Sequence, residues 1–218
     1  MTSQDRDAAG ASAGVPLTRR GVIALALPLP ALLSGCGAEA TWASDEEVSR
    51  AIYRHDDPPA LTLFTMIRNL SNEGAHSGLM VSGSQRVIFD PAGSFNHPQI
   101  PERNDVFFGI NDAAVDFYID YHARETYRVA VNEVEVSRDE AERALALVQQ
   151  AGPVGHAWCN MAIVDVLRQV PGWQDTPRSI FPLRTKRYFA GKPGVRSWEV
   201  RDDSPDNRGD LMRVPLVR

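Results

Sequence analysis

Cys159, His76 and Asp90 are the residues whose types could do chemistry together. A thiol, an imidazole that takes its proton and a polar group that orients the imidazole are the parts of thiol acyl transfer. Cys159 opens a segment in which steps of three and four reach Ile163, Val166, Leu167 and Val170, an apolar stripe that belongs against a core. The thiol would then point inward from the first turn of a helix, where backbone N–H groups and the helix dipole favour a thiolate. The thiolate is the form that attacks. The same position suits a packed cysteine acting as a small hydrophobe, and position alone leaves both readings open. His76 stands in Gly74-Ala75-His76-Ser77-Gly78-Leu79-Met80-Val81, and Asp90 follows Val87-Ile88-Phe89. The turn Ser82-Gly83-Ser84 lies between the two runs, so a hairpin would bring their outer ends, His76 and Asp90, together.

The other histidines have blander readings. His55 closes an amphipathic helix as a solvated side chain, His97 lies in a polar loop, and His122 ends a helix. His156 is the competitor for the base: sharing one helical turn with Cys159 would keep its ring off the thiol, while a helix that begins later leaves it in play. Ser77 and Ser94 are ordinary hydroxyls without an elbow motif. No His or Cys cluster has zinc spacing and no Gly-rich phosphate loop is present, so neither metal nor cofactor is expected. With 23 Lys and Arg against 28 Asp and Glu, and no basic run of the kind that neutralises phosphates, nucleic acid is not an expected partner.

The elements that must position these residues follow from local patterns. Ser44-Asp45-Glu46-Glu47 has the spacing of a capping box, and Val48, Ala51 and Ile52 continue a helix that Asp57-Pro58-Pro59 stops. Leu61–Ile67, Gly78–Val81, Arg86–Phe89 and Val106–Ile110 read as strands, with a polar turn over Pro101-Glu102-Arg103-Asn104. Asn111 caps a helix through Tyr121, Tyr127–Val136 is a strand, and Ser137-Arg138-Asp139-Glu140 opens another helix that Gly152-Pro153 ends. A helix from Cys159 to Val170 closes at Pro171-Gly172. The tail, rich in Pro, Gly and charge, has strand-like pieces at Trp198–Arg201 and Leu211–Val217. Strands and helices mix without strict alternation, which predicts an α+β fold.

The pattern of His, small residue, Gly and apolar pair, a second strand ending in a polar residue, then a distant Cys opening a helix resembles the circularly permuted branch of the NlpC-type papain-like superfamily. That superfamily holds cell-wall peptidases, amidases and lipid acyltransferases. In the unpermuted enzymes the Cys helix precedes the His strand; in this branch it follows, as here. The resemblance spans Leu61–Val170 and implies a papain-like domain over 44–218, with an antiparallel sheet packed on a Cys-bearing helix. It implies Cys159 as nucleophile, His76 rather than His156 as base and Asp90 as the orienting group, in a thiol hydrolase or acyltransferase. Trp158 stands before the cysteine where many relatives carry Asn, and the third position is often His or Glu. The competing class is a binding or assembly module that keeps the fold without the activity.

The first residues supply a location. Leu17-Thr18-Arg19-Arg20 precedes an uncharged apolar run, Gly21–Leu33, interrupted by Pro28 and Pro30. A basic segment before an apolar stretch too short to span a bilayer reads as a secretory signal. Leu33-Ser34-Gly35-Cys36 resembles the lipobox of bacterial lipoproteins, which implies cleavage after residue 35 and lipid on Cys36. Thr18-Arg19-Arg20-Gly21-Val22-Ile23 also resembles a twin-arginine export signal. The expected organisation is a signal peptide over 1–35, a lipidated tether over 36–43 and one domain over 44–218. The expected site is the bacterial cell envelope, with the protein anchored in the membrane on the periplasmic side. Gly37 rather than Asp after the cysteine points to the outer membrane. Cell-wall peptides or lipid acyl groups are the expected substrates. With Cys36 thioether-linked to lipid, Cys159 has no internal disulfide partner.

Overall fold

The structure is a computed structural model that describes residues 40–209, 211–213 and 215–216. The signal segment, Cys36 and residues 36–39 of the tether lie outside the described residues. The strand β1 (Ala60–Arg68) is buried at its first eight positions. It lies between β2 (Gly74–Ser82) and β6 (Tyr127–Glu135), with helices over both faces, so its sequence is a continuous apolar run rather than an alternation. The strands β3 (Arg86–Phe89), β4 (Glu102–Arg103), β5 (Val106–Phe108) and β7 (Arg196–Val200) complete a seven-stranded sheet of order β4-β5-β3-β2-β1-β6-β7. All of its pairings are antiparallel. The fold is α+β.

Alternate side chains of the central strands feed two cores. Leu61, Leu63, Leu79, Val81 and Phe89 meet α3 (Arg138–Gln150), α4 (Cys159–Leu167) and α5 (Pro182–Ala190). Phe64, Met66, Met80 and Ile88 meet α2 (Asp112–His122) on the other face. The short α1 (Asp45–Ala51) and α3 both open on the expected capping boxes, Ser44 with Glu47 and Ser137 with Glu140.

Several expectations are corrected. β2 begins at Gly74, so His76 lies within the strand rather than at its entry. Residues 102–103 form a short edge strand that bonds β5 instead of a free turn. β5 stops at Phe108 because Gly109 takes φ +78, with its Cα pressed against the Ala51 carbonyl. The Cys helix ends at Leu167, and Val170 reaches back only to Leu167 in a tighter turn. Leu211–Arg213 is a 3-10 turn, not a strand. The largest omission is α5. Its buried stripe is only Pro182, Thr185 and Phe189, interleaved with cations, which left little helical signal in the sequence.

Candidate active site

The site forms where the sheet runs out of strands. β3 pairs with β2 only from Leu79 to Ser82, leaving after Phe89. Among the described residues, the first half of β2 therefore has β1 on one side and no strand on the other. The N-terminal end of α4 packs there. Ser77 donates through Oγ to Oδ1 of Asn160 at 3.2 Å, and Asn160 Nδ2 donates to the Ser179 carbonyl at 2.6 Å. Both Ser77 and Asn160 are fully buried, so this pair fixes α4 against β2 at the residue beside Cys159.

Three side chains converge in this corner. His76 Nε2 meets Asp90 Oδ1 at 2.6 Å. Cys159 lies near enough that its sulfur and the same imidazole shift each other's titration. Nε2 is held by the carboxylate, and Nδ1 is the ring nitrogen that Asp90 does not use. Burial alone would lower the His76 pKa, but the Asp90 charge and hydrogen bond, aided by the Cys159 sulfur, raise it to about 10. Burial likewise pushes the Cys159 thiol up. The His76 hydrogen bond and charge, with the backbone N–H groups of Ser77 and Asn160, outweigh it and bring the thiol below its ordinary value. Both shifts favour a thiolate beside an imidazolium.

Residues that sequence reading passed over complete the arrangement. Asp90 is buried, and Tyr118 of α2 donates its hydroxyl to the same Oδ1 at 2.7 Å. That bond explains Gly78: a Cβ there would collide with the Tyr118 hydroxyl. Glycine inside a strand marks such a close approach, and this was the readable signal. Gly93 packs its Cα against Asp90 Oδ2 in the same way. His122 stacks on His76 with centroids 6.1 Å apart, its Nδ1–H donating to the Tyr118 carbonyl at 2.8 Å. Burial holds its pKa down at about 4, outweighing the upward pull of Asp90, and the positive charge of His76 adds a smaller push in the same direction as burial. It is a neutral partner beside a charged one.

The loop before Cys159 is tied by Asp105. Its Oδ2 accepts from Val154 N at 2.8 Å and Ala92 N at 3.4 Å, while its carbonyl accepts from Asp90 N at 2.8 Å. Asp105 thus links the Asp90 turn to the approach to α4. Ala157 takes φ 69, a left-handed conformation unusual for a residue with a Cβ, two positions before the cysteine. α4 has no side-chain N-cap. Its intrahelical bonding begins with Ala162 N to the Trp158 carbonyl, so the N–H groups of Cys159 and Met161 in the first turn are left without an intrahelical acceptor, while that of Asn160 faces the Cys159 sulfur.

The other histidines are placed as follows. His156 is exposed in the turn before α4. His55 is not solvated: its side chain is 3 % exposed, its Nδ1 lies 3.7 Å from Asp57 Oδ2, and among the described residues neither nitrogen has a hydrogen-bond partner. His97 is buried edge-on to the Phe117 ring, 4.8 Å between centroids, and its Nδ1 accepts from Gln99 N. Among the described residues no group of His, Cys, Asp and Glu is arranged to hold a metal ion, and no helix is long and apolar enough to cross a membrane. Comparison with known proteins returns no match: no family model fits the sequence, and no curated protein or solved structure is significantly similar.

Proposed function

We propose that this protein is an envelope-anchored thiol hydrolase or acyltransferase, a permuted NlpC-type papain-like domain acting on amide or ester bonds. The observation that carries the reading is the Cys159–His76–Asp90 constellation, in which the thiol is lowered and the imidazole raised. Sγ of Cys159 attacks the carbonyl carbon, and the negative charge moves to the carbonyl oxygen. The open N–H groups at the start of α4 stabilise that oxyanion. His76 gives its proton to the leaving nitrogen or oxygen, and a thioester remains on Cys159. His76 then takes a proton from the incoming water, hydroxyl or amine, whose attack releases the acyl group and restores the thiolate. Asp90 keeps the imidazolium oriented throughout. Location supplies the substrate class: with Cys36 lipidated, the site works on cell-wall peptides or lipid acyl groups.

The test is the iodoacetamide alkylation rate of Cys159 against pH, measured in a Cys36→Ser background so that one thiol reports. The wild-type rate should remain high at mildly acidic pH, where an ordinary thiol of pKa about 8.5 barely reacts. His76→Ala should remove that acid-side reactivity, and Asp90→Asn should reduce it less. A profile that follows an unperturbed thiol, or one indifferent to His76, would overturn the reading and favour a binding module.

A further inference from the structure

Beside the site lies a surface whose composition is unlike the rest of the chain. From Arg178 to Arg196 the sequence carries Arg178, Arg184, Lys186, Arg187, Lys192 and Arg196 and no Asp or Glu, in a protein of net charge −5. Spread along the sequence, these cations make no basic run. The fold gathers three of them, Arg184, Lys186 and Arg187, onto α5.

Bulky apolar side chains accompany them in water. Trp158 is 57 % exposed, Ile180 51 % and Phe181 67 %. The hydrogen bond from Asn160 to the Ser179 carbonyl holds the two stretches together, with Trp158 two residues from one end and Ile180 and Phe181 next to the other. The start of α5 also abuts β2: Pro182 and Leu183 lie against Gly74, two residues from His76. The patch therefore borders the Cys159 corner. Phe181, Arg184 and Arg187 follow at three-residue steps and are all exposed. Arg178 is paired with Asp165 at 3.2 Å, Lys192 bonds the Gly172 carbonyl and Arg196 is bound to Glu133. Among the described residues no ion pair engages Arg184, Lys186 or Arg187.

We propose that Trp158, Ile180, Phe181, Arg184, Lys186 and Arg187 form a docking surface for an anionic phospholipid bilayer. Exposed aromatic and branched side chains enter the headgroup boundary, and unpaired cations beside them meet lipid phosphates. The charge decides the occupant: a segment without a carboxylate, on an acidic protein, complements a negative plane. The cavities about Ala51, Gly109 and Asn111, and about Trp42, His97 and Ile100, lie on other segments. The inference goes beyond the catalytic reading and holds whether or not Cys159 reacts.

The test is flotation of the full chain with vesicles of phosphatidylglycerol and phosphatidylcholine, or of phosphatidylcholine alone. The N-terminal segment is common to every variant, so differences report the surface. Arg184→Gln/Arg187→Gln should weaken binding to the anionic vesicles about thirtyfold, and added salt should narrow the gap. Phe181→Ser should weaken it about tenfold. Arg54→Gln/Arg138→Gln removes two exposed charges elsewhere and should bind like wild type. The arginine double variant should also retain the wild-type alkylation profile of Cys159, which separates this surface from the thiol site. Unchanged binding by the double variant, or an equal loss in the Arg54/Arg138 control, would overturn the proposal. So would loss of binding to isolated cell-wall sacculi with vesicle binding intact, which would assign the surface to a wall polymer.

Discussion

Tyr118 and His76 share a single oxygen: the phenol from α2 and the imidazole from β2 both meet Oδ1 of Asp90, at 2.7 and 2.6 Å. The phenol supports the carboxylate from behind while the imidazole faces the thiol. Replacing Tyr118 by Phe should cost about 2 kcal/mol, the worth of a hydrogen bond to a charged group, read by urea denaturation. It should also shift the alkylation profile of Cys159 towards lower pH, because an Asp90 relieved of a competing donor is a more basic acceptor and holds the His76 proton more firmly. Unaltered reactivity alongside lost stability would make Tyr118 a packing residue only.

Gly78 and Tyr118 should be coupled. Gly78→Ala drives a Cβ into the Tyr118 hydroxyl and should destabilise the protein by about 1–3 kcal/mol. In the Tyr118→Phe background the cost of the same change should fall, since the colliding atom is gone. The Cβ would still meet the ring at 3.2 Å, so relief should be partial. A double-mutant cycle measures this, and additive costs would show that the glycine answers to something else.

His122 predicts an acid window. Its pKa is about 4 in the folded chain against an ordinary value of 6.5, so the unfolded chain takes up a proton first as pH falls. The stability that depends on its neutrality is complete above pH 6.5 and is lost progressively as pH falls towards 4. The total is about 3 kcal/mol for a buried group with that shift. His122→Asn should flatten the stability curve between those values without moving the alkaline side. Denaturation at a series of pH values checks it; a variant with the wild-type slope would sink the assignment.

Asp105 should matter to a site it reaches only through backbone groups. Asp105→Ala removes the acceptor of Val154 N–H and frees the approach to α4, at a cost of about 1–3 kcal/mol if the donor stays buried. Amide exchange at Val154 should accelerate more than exchange in the central strand β1. Equal acceleration at both would mean global destabilisation rather than a loosened loop.

Sequence patterns revealed elements more readily than their company. The two capping boxes, the runs at Leu61–Ile67 and Arg86–Phe89 and the apolar stripe after Cys159 carry local signals, and the structure places α1, β1, β3, α3 and α4 there. The nearness of His76 and Asp90 was readable because one hairpin creates it. Tyr118 and His122 were not, because nothing local in α2 says which strand its polar atoms will reach. Asp105 escaped for the same reason: it looks like a turn residue and works through backbone atoms far along the chain. α5 hid because a tertiary contact, Phe189 against Trp173 at 4.8 Å, anchors a helix whose own stripe is thin.

The order of the elements gives the thiol a late arrival. The His76–Asp90 contact closes over 14 residues, whereas Ser77 and Asn160, which seat α4, are 83 apart. Closing the longer loop costs about 1.5 kcal/mol more in chain entropy, so His76 and Asp90 can meet before Cys159 joins them. Until that last docking, Cys159 is an ordinary thiol in an incomplete fold. Folding and the lowering of the thiol are then one event, and changes at Ser77 or Asn160 should speed unfolding more than they slow folding.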